Sequence, residues 1–207
     1  MTRNRDPFTQ ALDSLRLRME QGLPGPGRPV VIVDEARRLR LSVTPVREAL
    51  AWMAGAGLVE RALLGGYVSV AMDAAGLRDA LAFRLHCLKL GLETVASFPS
   101  TRPGEDADPQ PALRRRLDRM VESGGSAALL DAYRRVSERL LRFAAAEGRV
   151  FDDVDAEAEN ILRRYDEGAT EGVWVALADY HHRRMDAAPL LVVEAATPPS
   201  DSTGGAA

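Results

Sequence analysis

Ser42-Val43-Thr44-Pro45-Val46-Arg47-Glu48-Ala49-Leu50 is the stretch that decides how this chain is read. Proline suits the first turn of a helix, where its missing N–H has no intrahelical acceptor to lose. Pro45 at the first helical position makes Thr44 the expected N-cap. Val46, Ala49, Leu50 and Met53 then recur at three- and four-residue spacing, which predicts a helix with one buried face running to Gly57. Arg47 and Glu48 stand beside its N-terminal tip, in position to face a partner.

Working outward, Asp34-Glu35-Ala36-Arg37-Arg38-Leu39 predicts a short helix, and Arg40-Leu41-Ser42 is a connection tight enough for a helix-turn-helix. Downstream, Leu58–Arg61 and Tyr67–Val70 are short apolar runs flanking Leu63-Leu64-Gly65-Gly66, whose glycines can close a β-hairpin. An opening helix over Phe8–Glu20 completes three helices and a hairpin, which is a winged helix-turn-helix over residues 1–72.

Residues 8–72 resemble the DNA-binding domain of the GntR family of bacterial transcription regulators. The opening helix and Gly22-Leu23-Pro24-Gly25, then Thr44 to Leu50, Gly57-Leu58-Val59 and Gly66-Tyr67-Val68 follow the family's order and spacing. Two positions depart from it: Val43 stands where the family usually has arginine, and Arg40 replaces the usual glycine of the turn. The resemblance implies a recognition helix entering the major groove of a double-stranded operator, where arginine can bond two acceptors of guanine. Arg47 is the candidate for base readout. Ser42, Thr44 and the helix-start N–H groups suit a phosphate, Arg38 and Arg40 add attraction to the DNA backbone, and Gly65 and Gly66 let the wing approach closely. Two-fold operators imply a homodimer, since one winged helix contacts too few bases to select a genomic site. The competing reading is a winged-helix module that binds protein, without operator-specific DNA binding.

Charge is distributed in keeping with this. Residues 1–72 hold 10 arginines and 7 acidic side chains, a balance of +3, which leaves −6 for the remainder of a chain whose net charge is −3. That asymmetry turns one end toward a polyanion. With 207 residues and 46% hydrophobic content, the chain can bury two small cores. Cys87, its only cysteine, excludes an intramolecular disulfide and a cysteine-rich zinc site, and fits a reducing compartment. The sequence shows neither a cleavable signal pattern nor a run long enough to span a bilayer, so a cytoplasmic protein is expected. It also shows no nucleophile motif, paired-carboxylate geometry or phosphate loop, so no enzyme is expected.

From Asp73 onward the pattern is helical. Asp73 caps a helix lined by Leu77, Leu81, Leu85, Leu88, Leu92 and Val95, expected to end near Phe98-Pro99. A proline-rich loop is expected over 99–111, followed by helices at 112–122, 127–147, 153–167 and 170–186. Ser123-Gly124-Gly125, Gly148 and Gly168 are the expected breaks, and the tail over 195–207 is expected to be disordered. The fold class is therefore mainly α, a winged helix followed by an all-α antiparallel bundle over 73–194.

Such a bundle behind such a head resembles the FCD-type effector-binding domain of the FadR branch, which implies a small-molecule effector. Metal-binding members use an aspartate and a histidine four apart, plus two later histidines. Here the first pair falls on Val136 and Leu140, the third ligand near Ala158 or Glu159, and only His181 or His182 matches the fourth. One imidazole cannot hold a zinc ion, so neither metal nor other cofactor is expected, and the space is expected to be more apolar. His181, Trp174 and Tyr180 are the candidate effector contacts. His86, Cys87 and Lys89 are close in sequence but point in different directions on a helix, and form no nucleophile–base pair.

Overall fold

The structure, a computed structural model, describes residues 6–95 and 108–197. Helix α1 (Pro7–Glu20) starts where Asp6 accepts from the Thr9 N–H at 3.2 Å, and it buries Ala11, Leu12, Leu15 and Met19. Strand β1 (Pro29–Val30), helix α2 (Ile32–Leu39) and helix α3 (Val43–Gly55) follow. Strands β2 (Val59–Arg61) and β3 (Tyr67–Ser69) form the expected hairpin. Its outer edge is extended by β1, unforeseen in the sequence, so the sheet order is β1-β3-β2, antiparallel throughout, with Val30 opposite Tyr67 and Glu60 opposite Val68. Val46, Ala49, Leu50 and Met53 are fully buried against α1 and the sheet. Burying a leucine such as Leu50 contributes about 1.5–3 kcal/mol, a large share of what a head this small can spare.

The ends of α3 differ from expectation. Its first residue is Val43 and its N-cap is Ser42, so Thr44 is not the cap and Pro45 lies third in the helix. The first-turn N–H groups all lack intrahelical acceptors, so proline is tolerated equally there and does not mark the first residue. At the other end Ala56 is the cap, and Gly57 turns left-handed at φ +72° while the Leu58 N–H reaches back to the Met53 carbonyl at 2.9 Å. The glycine follows the helix and does not belong to it.

Helix α4 (Ala74–Thr94) opens on Asp73, which accepts from the Gly76 N–H at 2.8 Å, and it buries Leu77, Leu81, Leu85, Leu88 and Leu92 as predicted. It ends at Thr94, short of the expected Phe98, which with most of the proline-rich loop lies outside the described residues. Then come α5 (Pro109–Ser123), α6 (Ala127–Leu140), a single 3₁₀ turn at Leu141–Phe143, α7 (Ala144–Val150), α8 (Val154–Asp166), α9 (Thr170–Asp186) and α10 (Ala188–Ala196). The helix expected over 127–147 is thus broken at Leu141, and Gly148 lies inside α7 instead of ending a helix. Residues 195 and 196, expected in the tail, complete α10 with Ala195 buried; 198–207 lie outside the described residues.

Helix α4 is the axis of the bundle, packed against α5, α6, α9 and α10. One core gathers around Leu88, Leu117, Ile161 and Leu177, and a second around Leu81, Val136, Phe143 and Leu191. The head is fastened to the bundle by polar contacts. Arg16 of α1 pairs with Glu138 of α6, Arg114 of α5 with Glu20 of α1 at 3.7 Å, and buried Arg142 donates to the Val70 carbonyl and the Ser69 hydroxyl. Among the described residues no helix is long and apolar enough to cross a membrane.

Candidate DNA interface and bundle cavity

The turn between α2 and α3 sets the first candidate site. Arg40 closes α2 in the left-handed conformation, φ 55° and ψ 38°, and the Leu41 N–H bonds the Ala36 carbonyl at 3.0 Å. A glycine would adopt this backbone freely; arginine does so at a cost of about 1–2 kcal/mol. Its side chain, with those of Ser42, Thr44 and Arg47, is exposed at the start of α3. The Ser42 side chain makes no capping bond, so its hydroxyl and the first-turn N–H groups both face outward.

Arg38 is placed differently. Its guanidinium bonds Glu35 at 2.7 and 3.0 Å and the Ser14 hydroxyl at 2.8 Å, which ties α2 to α1. Arg37 pairs with Asp34 at 3.2 Å. The hairpin turns through Gly65 and Gly66, at φ +93° and +82°, with the Ala62 N–H bonded to the Gly66 carbonyl at 3.2 Å. Leu63 and Leu64 at its tip are fully exposed, a feature the sequence reading left without a role.

The second candidate site is a cavity of about 420 Å³ between α1 and the bundle, within the range that holds small organic ligands. Met19 and Leu58 of the head and Leu113 and Leu141 of the bundle supply its apolar wall. Tyr133 and Tyr180 are buried beside it, and Arg84, 8% exposed, enters from α4. The Arg84 Nε donates to the Ser137 hydroxyl at 3.1 Å, and its guanidinium lies 5.9 Å from the centre of the Tyr133 ring. Burial opposes its charge, but the Tyr133 and Tyr180 hydroxyls and Glu147 more than offset this, and its pKa is raised. Burial likewise raises the Asp118 carboxyl, against the pull of Arg134 and Arg84, and raises Glu138 against the pull of Arg16.

Of the expected effector contacts, the cavity takes in Tyr180 but neither Trp174 nor His181. Trp174 is half-buried with the Lys89 ammonium 5.5 Å above its ring. His181 is fully buried and bonds the Leu177 carbonyl through Nδ1 at 2.7 Å. Desolvation, then the charge of Arg84, lowers its pKa well below 6.5, so it is neutral. His86 and Lys89 are exposed while Cys87 is buried, with its thiol pushed up by burial.

A divalent metal does not fit here. Val136 and Leu140 offer no lone pair and pack into the second bundle core, Ala158 packs into the first, and a guanidinium acts on the one buried imidazole. The more apolar space expected at these positions is core packing around Val136, Leu140 and Ala158, while the cavity next to it carries charged walls. Arg84 was legible as an arginine on the buried stripe of α4, three residues after Leu81 and four before Leu88. Asp118 carried no comparable signal, because it faces the cavity only through the packing of α5 on α4 and α6.

These features define a class: an N-terminal winged helix-turn-helix joined to a helical bundle, with a cavity where the two meet. Two solved structures share that fold. E. coli McbR/YncC superposes with a TM-score of 0.64 at 16% identity, over 88% of this chain and 97% of that one. A putative transcriptional regulator GntR from Rhodococcus sp. RHA1 superposes with a TM-score of 0.66 at 17% identity, over 87% of this chain and 96% of that one. No family model and no curated protein matches the sequence.

Proposed function

We propose that this chain is a sequence-specific DNA-binding transcription regulator of the GntR type, and not an enzyme, with a head over 1–72 and an effector-sensing, dimerising bundle over 73–194. The observation that carries the reading is the start of α3, where Ser42, Thr44, Arg47 and the turn residue Arg40 are exposed together beside a wing. Arg47 reads a base edge; Arg40, Ser42 and Thr44 hold phosphates; Gly65 and Gly66 bring the wing to the backbone. Arg38 serves mainly to position α2, its charge shared with Glu35 and Ser14, and adds long-range attraction. The fold shared with a putative GntR regulator supports the assignment. Exposed Phe83, Leu90 and Val175, on the adjoining helices α4 and α9, support a homodimer. Winged helices of this kind act inside the cell, so a cytoplasmic location goes with the reading.

The test is a gel shift on the DNA upstream of the chain's own gene at rising salt, with the mass in solution measured by light scattering. Specific binding by a dimer that weakens steeply with salt is expected, because phosphate contacts release counterions. The fully exposed Leu63 and Leu64 favour one alternative, a wing that binds protein. Absence of any shift at low salt would leave that alternative standing.

A further inference from the structure

Nearly every charged side chain around the bundle cavity has an ion-pair partner. Arg16 and Glu138 have each other, as do Glu20 and Arg114; Arg134 pairs with Glu122 and Glu147 with Arg184. Arg84 and Asp118 are the exceptions among the described lining residues. One is a buried guanidinium whose hydrogen-bond partners, the Ser137 and Tyr133 hydroxyls, are neutral; the other is a partly buried carboxylate without a hydrogen bond or ion pair. Asp118 feels the charge of Arg134 and, less strongly, of Arg84, yet bonds neither. Burying a charge without a partner is costly, so two of opposite sign facing one cavity call for a ligand that completes both.

A simple carboxylate would satisfy Arg84 and add a second negative charge beside Asp118. A simple amine would do the reverse, and a neutral apolar molecule would desolvate both without compensation. A molecule with both charges and an apolar part suits Arg84, Asp118 and the wall of Leu113, Leu141 and Met19 together. We propose that the cavity binds a zwitterion of the α-amino-acid class with an apolar side chain, its carboxylate on Arg84 and its ammonium on Asp118. Because Met19, Arg16 and Glu20 of α1 form part of the same wall, the ligand touches the head directly.

The inference deepens the effector-sensing part of the proposed function, but its test uses the full chain without DNA, so the two readings fail separately. L-leucine, L-methionine and L-phenylalanine are titrated calorimetrically, beside N-acetyl-L-leucine and L-leucine amide. At least one free amino acid should bind, and either blocked form of leucine should bind about tenfold more weakly or worse, since each loses a charge-assisted bond. Arg84→Met should abolish binding. Asp118→Asn, which removes no bond of the fold, should bind L-leucine and its N-acetyl derivative alike. Binding of N-acetyl-L-leucine as tight as that of L-leucine by the unaltered chain would overturn the assignment of Asp118, and no heat from any of the three amino acids would overturn the site.

Discussion

Arg47 and His181 show how differently two side chains can serve one molecule. Arg47 is exposed and its α3 neighbours Val46 and Leu50 are fully buried, so shortening it leaves the core untouched. Arg47→Ala should cost about 1–3 kcal/mol of operator binding and relax base preference, with an unchanged melting temperature. A variant that retains full affinity in a gel shift would remove Arg47 from base readout. His181 is the opposite case, enclosed and neutral with a pKa held well below 6.5. The unfolded chain takes up its proton as pH falls through 6.5 while the folded chain does not. The unfolded state therefore binds more protons in that window, and stability increases with pH across it and declines on acidification. His181→Gln should flatten the slope of melting temperature against pH below 6.5, which a series of thermal melts would show.

At the scale of elements, the left-handed end of α2 joins structure to function. Arg40→Gly relieves the backbone, and a gain of up to about 1 kcal/mol in stability is expected in denaturant titrations. The same change should weaken DNA binding and lower its salt slope by about one phosphate contact. A stabilised variant with unaltered DNA binding would show that Arg40 contacts no phosphate. Elements whose signals are local were legible in the sequence: the apolar spacing of α3, the glycines of the wing, and the Asp73 cap with five leucines of α4. Strand β1 was not, since two residues become a strand only through pairing with β3, far along the chain. The break at Leu141–Phe143 was hidden by an apolar run that continues through it, and Pro189 near the start of α10 reads equally well as a loop. The cavity was illegible for a related reason. Its walls come from α1, α4, α5, α6, α7 and α9 with Leu58 and Leu141 between elements, and sequence spacing reports one helix face at a time.

Across the whole molecule, orientation of the head depends on a few polar fastenings. Arg142 lies buried between β3 and the bundle with neutral oxygens as its partners, and burial lowers its pKa to about 10. Arg142→Met should leave both halves folded but free the head, so calorimetry is expected to resolve two transitions where the parent gives one. A single transition at the parent's temperature would show that the other contacts suffice. The pair of Arg16 with Glu138 has a further consequence. The Arg16 guanidinium also lies 4.7 Å from the centre of the Trp52 ring, which is 43% exposed on α3. The joint therefore carries its own fluorophore. With Trp174 replaced by phenylalanine, the emission of Trp52 alone would follow the joint as it loosens, so that head movement becomes visible as colour and intensity without a label attached.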